Sequence, residues 1–143
     1  MQCQPGEYCE RGSVTPKKCP AGTYNPEVQS VDISECLECP EGRYCTEGQG
    51  SAASDLPRCD DGWFCIGGSS NSTQNECLPG SKCVNGTIQA CDTGTYQENR
   101  RRTDCDPCLA GDYCPLIGMN QPFGCPEGFY CLGGASATVN SNA

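Results

Sequence analysis

The chain has 143 residues and a formal net charge of −9, and it contains 16 cysteines but no histidine. The lack of histidine excludes Ser-His and Cys-His catalytic arrangements and Cys-His zinc fingers, and the acidic balance disfavours nucleic acid and anionic membrane surfaces as partners. Aliphatic residues are too few to offset the entropy of folding by burial, so we expect cross-links to stabilise the fold.

The cysteines form two consecutive copies of one eight-cysteine pattern, which differ by small deletions in the loops. We therefore predict two tandem repeats, residues 3–76 and residues 77–143. Units of a repeat array contact mainly their neighbours, so the pattern predicts an elongated rod. The cysteines of the first copy are Cys3, Cys9, Cys19, Cys36, Cys39, Cys45, Cys59 and Cys65, and those of the second are Cys77, Cys83, Cys91, Cys105, Cys108, Cys114, Cys125 and Cys131.

A shorter motif, Cys-x-x-Gly-x-aromatic, occurs eight times, and only Lys82 departs from it at the aromatic position. Glycine permits a positive φ in a tight turn, and we expect the ring that follows to cover a disulfide. No segment has a helical apolar period, so we predict short β-hairpins and turns with almost no helix. A second turn per unit is indicated by glycines three residues after a closing cysteine, namely Gly12, Gly48, Gly68, Gly86 and Gly134.

The pairing of the cysteines has two open solutions. In the local scheme, which is the simplest, each motif closes on the next cysteine, as Cys3 with Cys9. In the rival scheme each closing cysteine pairs with the opening cysteine of the following unit, as Cys45 with Cys59. Spacing alone does not choose among the many pairings that eight cysteines permit.

Residues 19–24, Cys-Pro-Ala-Gly-Thr-Tyr, and residues 36–45, Cys-Leu-Glu-Cys-Pro-Glu-Gly-Arg-Tyr-Cys, resemble the ephrin-receptor-like cysteine-rich repeats. Residues 91–96 and 105–108 repeat the pattern without the prolines after Cys91 and Cys108. The chain is more distantly similar to the cysteine-rich modules of tumour necrosis factor receptors and growth-factor receptors. The resemblance implies a disulfide-laddered extracellular rod, closure of the longer loops as Cys19 with Cys36 and Cys91 with Cys105, and no catalytic residues.

Redox and metal chemistry have weak candidates. Two Cys-x-x-Cys steps, ending at Cys39 and Cys108, lie 69 residues apart in equivalent repeats, whereas a zinc ribbon needs two such pairs close together. The acidic pair at residues 60–61 and the acids at 104 and 106 match no EF-hand spacing, so solvated carboxylates are favoured over calcium ligands. We expect no catalytic residue, no bound metal and no cofactor.

Glycosylation is the best-supported specific modification. Asn71-Ser72-Thr73 and Asn85-Gly86-Thr87 fit the acceptor sequence for N-linked glycans, so we predict surface glycans on Asn71 and Asn85. The basic run at residues 100–102 is interpreted as an exposed loop rather than a binding site.

Compartment and function follow from the cysteines. An even cysteine number in a cysteine-rich chain indicates an oxidising compartment, so we expect a secreted or cell-surface protein. Met1 is followed at once by Gln2 and Cys3, without a signal peptide, a transmembrane run or a lipidation motif, which favours an internal or processed segment of a longer secreted protein.

We expect a structural protein, a glycosylated rod that self-associates head to tail into a filament, coat or matrix, and not an enzyme. The alternative is a ligand-binding module of a receptor or adhesion ectodomain. Its candidate contacts are Trp63, Leu116-Ile117 and Met119, which would also suit small-core residues or contacts between subunits.

Overall fold

The computed structural model describes residues 1–137 and the backbone of residues 139 and 140. In this part of the chain every sheet has two strands, and the paired strands are consecutive along the sequence. Two 3-10 helices, η1 (Ile33–Glu35) and η2 (Ala53–Asp55), are the only helices in these residues. The predicted disulfide-rich fold of short β-hairpins with almost no helix is confirmed. The strands are β1 (Glu7–Tyr8), β2 (Lys17–Lys18), β3 (Thr23–Tyr24), β4 (Leu37–Glu38), β5 (Trp63–Phe64), β6 (Asn75–Glu76), β7 (Ser81–Val84), β8 (Thr87–Ala90), β9 (Thr95–Tyr96), β10 (Asp106–Pro107), β11 (Asp112–Tyr113), β12 (Phe123–Gly124), β13 (Phe129–Tyr130) and β14 (Val139–Asn140).

Most sheets pair the end of one motif with the residues just before the next opening cysteine. In the antiparallel pair β1–β2, Tyr8 lies opposite Lys17, and Lys18 is followed directly by Cys19. The pair β3–β4 repeats this with Tyr24 opposite Leu37. In these sheets the second strand of the hairpin therefore leads directly into the opening cysteine of the next motif. We call the segment from one opening cysteine to the residue before the next a module.

The sheet β7–β8 is longer than the others because a two-residue turn joins its strands. Asn85 and Gly86 both have positive φ, 55° and 78°, as a type I′ hairpin turn requires. The sequence analysis placed Asn85 near a polar turn but did not predict this hairpin, although Asn-Gly is its usual signal.

All sixteen cysteines are paired, and every bond follows the local scheme rather than the rival one. The Cα–Cα distances run from 5.7 Å in Cys19–Cys36 to 6.3 Å in Cys108–Cys114, within the range that disulfides require. The other bonds are Cys3–Cys9, Cys39–Cys45, Cys59–Cys65, Cys77–Cys83, Cys91–Cys105 and Cys125–Cys131.

Disulfides make up most of the core. The disulfide Cys39–Cys45 packs with Leu56, and the ring of Tyr24 from the preceding module covers it. In the second half, Cys108–Cys114 packs with Met119 beneath Tyr96 in the same way. The expectation that motif rings cover disulfides is confirmed at these two positions. It could not be seen from the sequence that the ring comes from the preceding module.

Contacts within the chain define two compact units. One contains residues 1–60, 64–75 and 85–87, and the other contains residues 61–63, 76–84 and 88–143. Both units contain modules of the same kind. The division into repeats at residues 3–76 and 77–143 stays a prediction. No helix among the described residues is long and apolar enough to cross a membrane.

Candidate functional surfaces

The most regular feature of the structure is a set of backbone hydrogen bonds between successive modules. In the described residues, the N–H of seven of the eight motif glycines donates to the carbonyl six residues after the next opening cysteine, over 2.6–3.1 Å. That position holds the closing cysteine in most modules. These bonds are Gly6–Asn25, Gly22–Cys45, Gly42–Cys65, Gly62–Cys83, Gly80–Gln97, Gly94–Cys114 and Gly111–Cys131.

Two further bonds are present at most of these junctions. The opening cysteine accepts a hydrogen bond from the second turn of the next module, as Cys108 C=O does from Gly134 N–H at 2.6 Å. The closing cysteine donates to the residue after that turn, as Cys114 N–H does to Ala135 C=O at 2.9 Å. The second turns predicted at Gly48, Gly68 and Gly134 therefore bind the preceding module, and these glycines adopt positive φ of 75°, 82° and 75°.

Close packing explains why the motif position is glycine. A Cβ at Gly22 would lie 2.5 Å from the Gly68 carbonyl oxygen, and one at Gly94 would lie 2.6 Å from the Gly134 oxygen. These carbonyls belong to the module after the next one. Real Cβ atoms do not approach so closely. At Gly22 and Gly94 the glycine is thus required by the turn and by a contact two modules away.

Asn25 and Gln97 take the place of a closing cysteine in the two modules with longer loops. Both are buried, with 1% and 0% of their surface exposed, and both lie six residues after an opening cysteine. Asn25 donates from Nδ2 to Ser30 Oγ at 2.7 Å and accepts from Glu27 N–H at 3.0 Å. Buried amides satisfied in this way hold the loop where a disulfide otherwise would. Sequence analysis missed them, although the six-residue spacing is a usable signal.

The two glycosylation sequons are exposed but differ in geometry. Asn71 Oδ1 accepts from Thr73 N–H at 3.0 Å and from Thr73 Oγ1 at 3.4 Å, so asparagine and threonine are already in contact. Asn85 lies in the β7–β8 turn, where its carbonyl accepts from Arg58 Nη1 at 3.2 Å. Both side chains reach solvent.

The basic run at residues 100–102 contacts its own chain. Arg101 lies over the Trp63 ring, 5.9 Å from the centroid, and its Nε is 3.6 Å from Glu76. Arg100 approaches the same carboxylate at 3.7 Å, and Arg102 lies 3.4 Å from Asp104. Two carboxylates therefore offset part of the local positive charge. Trp63 is half-buried beneath an arginine and is not a free apolar contact.

The remaining apolar candidates separate into core and surface. Met119 belongs to the core, with 7% of its surface exposed, whereas Leu116 and Ile117 are 57% and 69% exposed. Within the described residues, no ring contact or core cluster brings Leu116 and Ile117 together with Trp63.

Titratable groups form no site within the described residues. Groups of three His, Cys, Asp or Glu side chains that could hold a metal are absent there. Both Cys-x-x-Cys steps join separate disulfides, so they contain no free thiol pair. The resolved pKa shifts lie on exposed residues. A hydrogen bond and the charge of Glu10 raise the pKa of Lys17, and hydrogen bonds from Ser34 lower the pKa of Asp32.

Neither a protein-family model nor a curated protein matches this sequence. The resemblance to ephrin-receptor-like repeats therefore remains a prediction from residues 19–45 and 91–108.

Proposed function

We propose that this protein is a structural extracellular repeat protein, a glycosylated rod that forms part of a surface filament, coat or matrix. The observation that carries the proposal is the repeated junction. Because each module binds the next through the same backbone hydrogen bonds, further modules can be added to the rod without any new side-chain contacts. An elongated repeat protein of this kind is suited to spacing and connecting other components of a surface or matrix.

The proposed location and the proposed glycans follow from the cysteines and from the two glycosylation sequons. Eight disulfides persist in an oxidising compartment, which supports a place outside the cell or on its surface. N-linked glycans on Asn71 and Asn85 would cover exposed loops and limit side-to-side contact. The proposal includes no catalysis, cofactor, nucleic acid or membrane insertion.

Electron microscopy of the protein isolated from its native source, without denaturant or reductant, tests this function. Long fibres with glycan density at Asn71 and Asn85 would support it. Discrete single particles that bind a soluble ligand in a saturable way would overturn it.

A ligand-binding module of a receptor or adhesion ectodomain is the second candidate, and Leu116 and Ile117 favour it. Exposed adjacent aliphatic side chains are typical of protein contacts, and the corresponding place after Cys45 in the first copy holds Glu47. Replacing both with serine would abolish ligand capture in this case and leave a filament intact in the first.

A further inference from the structure

The strand β8 is an exposed sheet edge of unusual length for this chain. Among the described residues, β7 and β8 form the one sheet whose strands have four residues, whereas the strands of the other sheets have two. All four residues of β8 are exposed. Natural sheet edges are kept from pairing with other chains by short length, by charged side chains or by proline. Short length does not protect β8 in this way.

Most of the other edges end in a residue that discourages such pairing. The comparable position is the residue directly before an opening cysteine, which ends the second strand of most hairpins. A charged residue or proline occupies it in most modules and glycine occupies it once, whereas β8 ends in alanine. None of the four residues of β8 is charged or is proline. The residues at this position are Lys18, Glu38, Arg58, Glu76, Ala90, Pro107 and Gly124.

The backbone of β8 has unused hydrogen-bonding groups on its outer edge. Cys91 N–H donates to Gly80 C=O at 2.9 Å, which defines the register of the hairpin. Because alternate residues of an antiparallel strand face the partner strand, the backbone groups of Gln89 face β7 and those of Ile88 and Ala90 face outward. Neither of these two residues has a backbone hydrogen bond to a further strand or to a loop within the described residues. The edge therefore offers two donors and two acceptors.

These four groups are complementary to the same groups of a second copy. When two β8 strands run antiparallel about a twofold axis at Gln89, Ile88 of each copy lies opposite Ala90 of the other. Both residues direct their backbone groups outward, so each such pair exchanges two hydrogen bonds and every outward donor and acceptor is used. The two Gln89 side chains lie directly opposite each other, within reach of a hydrogen bond between their amides.

Apolar side chains beside this edge favour the same contact. A Cβ on Gly118 would lie 3.7 Å from Ala90 Cβ, so the turn that carries Leu116 and Ile117 lies next to the end of β8. Leu116 and Ile117 are 57% and 69% exposed, and Ile88 is 36% exposed. Removing such side chains from water favours association. Because β8 is uncharged, its pairing places no like charges opposite each other, although the chain has a net charge of −9.

We infer that β8 pairs antiparallel with β8 of a second copy of this chain, so that the two hairpins form one four-stranded sheet. The contact is isologous, because both copies use the same strand, and it closes after two copies. It joins two copies side by side and supplies a lateral contact for a coat or matrix. Asn85 precedes β8, so a glycan on it lies outside the paired residues. The inference rests on the proposed structural function.

The test compares Ala90→Lys with Ala21→Lys in the full oxidised chain. Ala90→Lys gives β8 the residue type that Lys18 supplies at the equivalent position of β2, so the hairpin should fold. Its charged side chain would lie opposite Ile88 of the other copy and oppose pairing. Ala21→Lys makes the same change in an exposed turn outside the contact, where the equivalent residue of the next module is Glu41. Intact mass before and after reduction verifies all eight disulfides in each variant.

Association is measured by sedimentation velocity over a concentration series. We expect Ala90→Lys to weaken association about tenfold or more and Ala21→Lys to change it less than about twofold. Both variants reduce the net negative charge by the same amount, so charge repulsion between whole copies does not explain a difference between them. Association of Ala90→Lys that equals that of the wild type would overturn the contact, and so would equal weakening by both variants.

Amide hydrogen exchange of the wild type provides a second readout that needs no substitution. In the monomer, the amides of Ile88 and Ala90 should exchange quickly, whereas the Gln89 amide, which faces β7, should exchange slowly. Association should slow exchange at Ile88 and Ala90 about tenfold or more and leave Gln89 unchanged. Slow exchange of both amides in the monomer would assign the edge to a segment of the same chain and overturn the contact. Protection that requires a different bound protein would also overturn it.

The outcomes separate this contact from the structural function. Fibres of the wild type in which the Ile88 and Ala90 amides still exchange quickly would overturn the contact and leave the structural function standing. Dimers with both amides protected that form no fibre or sheet in electron microscopy would support the contact and contradict the structural function. A wild type that stays monomeric at every concentration would overturn the contact, while electron microscopy of the native material decides the function separately.

Discussion

Gly94 and Gly111 share a left-handed backbone conformation, with φ of 84° and 95°. Gly94 is closely packed, whereas a Cβ on Gly111 would meet no heavy atom within 4 Å in the described residues. An alanine at either position incurs about 1–2 kcal/mol of conformational strain. At position 94 alone, the methyl group would lie 2.6 Å from the Gly134 oxygen, which adds roughly 1–3 kcal/mol from overpacking. Guanidinium unfolding of dilute oxidised protein should therefore show Gly94→Ala to be clearly less stable than Gly111→Ala. Equal losses would mean that the close approach carries no energetic cost.

The buried amide of Asn25 is the second residue on which the fold depends. Asn25→Ala removes the donor to Ser30 and the acceptor for Glu27 N–H, and leaving such buried groups unpaired costs about 1–3 kcal/mol. We expect faster hydrogen exchange at the Glu27 amide and a lower unfolding midpoint. Asn120→Ala, at an exposed position, is the control and should change neither. Unchanged exchange at Glu27 in Asn25→Ala would contradict the proposed role of the amide.

At the scale of elements, η1 begins with a capping box in which Asp32 caps the first turn and Glu35 accepts from Asp32 N–H at 3.0 Å. Asp32 caps η1 by accepting from Ser34 N–H at 3.2 Å, and its hydrogen bonds with Ser34 lower its pKa below the ordinary 3.8. A carboxyl with a lowered folded pKa stabilises the folded form above its unfolded pKa and loses that contribution as the pH falls through the folded pKa. The cap should therefore be intact at neutral pH and open below pH 3.8.

An NMR titration of the Ser34 amide measures this opening. The wild type should show a chemical-shift change with an inflection below 3.8, and Asp32→Asn should show none. An inflection at or above that value in the wild type would rule out the cap as the cause of the shift.

The loop at residues 100–102 should resist trypsin despite its three arginines. Arg101 N–H donates to Cys77 C=O at 2.9 Å, and Arg102 C=O accepts from Cys83 N–H at 2.9 Å. The backbone of this loop therefore cannot enter a protease active site unless these hydrogen bonds between modules break. Arg11 is the matched control, because it is exposed and the next residue, Gly12, has an unpaired N–H within the described residues. We expect cleavage after Arg11 in the oxidised protein, and cleavage at residues 100–102 only after reduction. Mass spectrometry of timed digests distinguishes the two sites, and early cutting after Arg102 would contradict the prediction.

The elements themselves were largely predictable, because the spacing of Cys, Gly and aromatic residues reports directly on a local hairpin and its turn. The β7–β8 hairpin was also within reach, since Asn85-Gly86 is a strong turn signal. The contact of Gly94 with Gly134 was not, because spacing describes a module and its closing bond but contains no information about packing two modules away. The burial of Asn25 and Gln97 was not predicted because polar loop residues are usually exposed, and only their position six residues after an opening cysteine indicates it.

At the scale of the whole molecule, the net charge of −9 acts on every copy with the same sign. Self-association in the proposed structural function brings copies of like charge together, so charge repulsion between copies opposes it. Salt screens such repulsion, with a Debye length of about 30 Å at 0.01 M and about 10 Å at 0.1 M. Sedimentation velocity should therefore show stronger association of the wild type at the higher salt concentration, and acidification toward the isoelectric point near 4.3 should act in the same direction. Association that weakens with added salt would instead identify a contact between copies that is made by ion pairs.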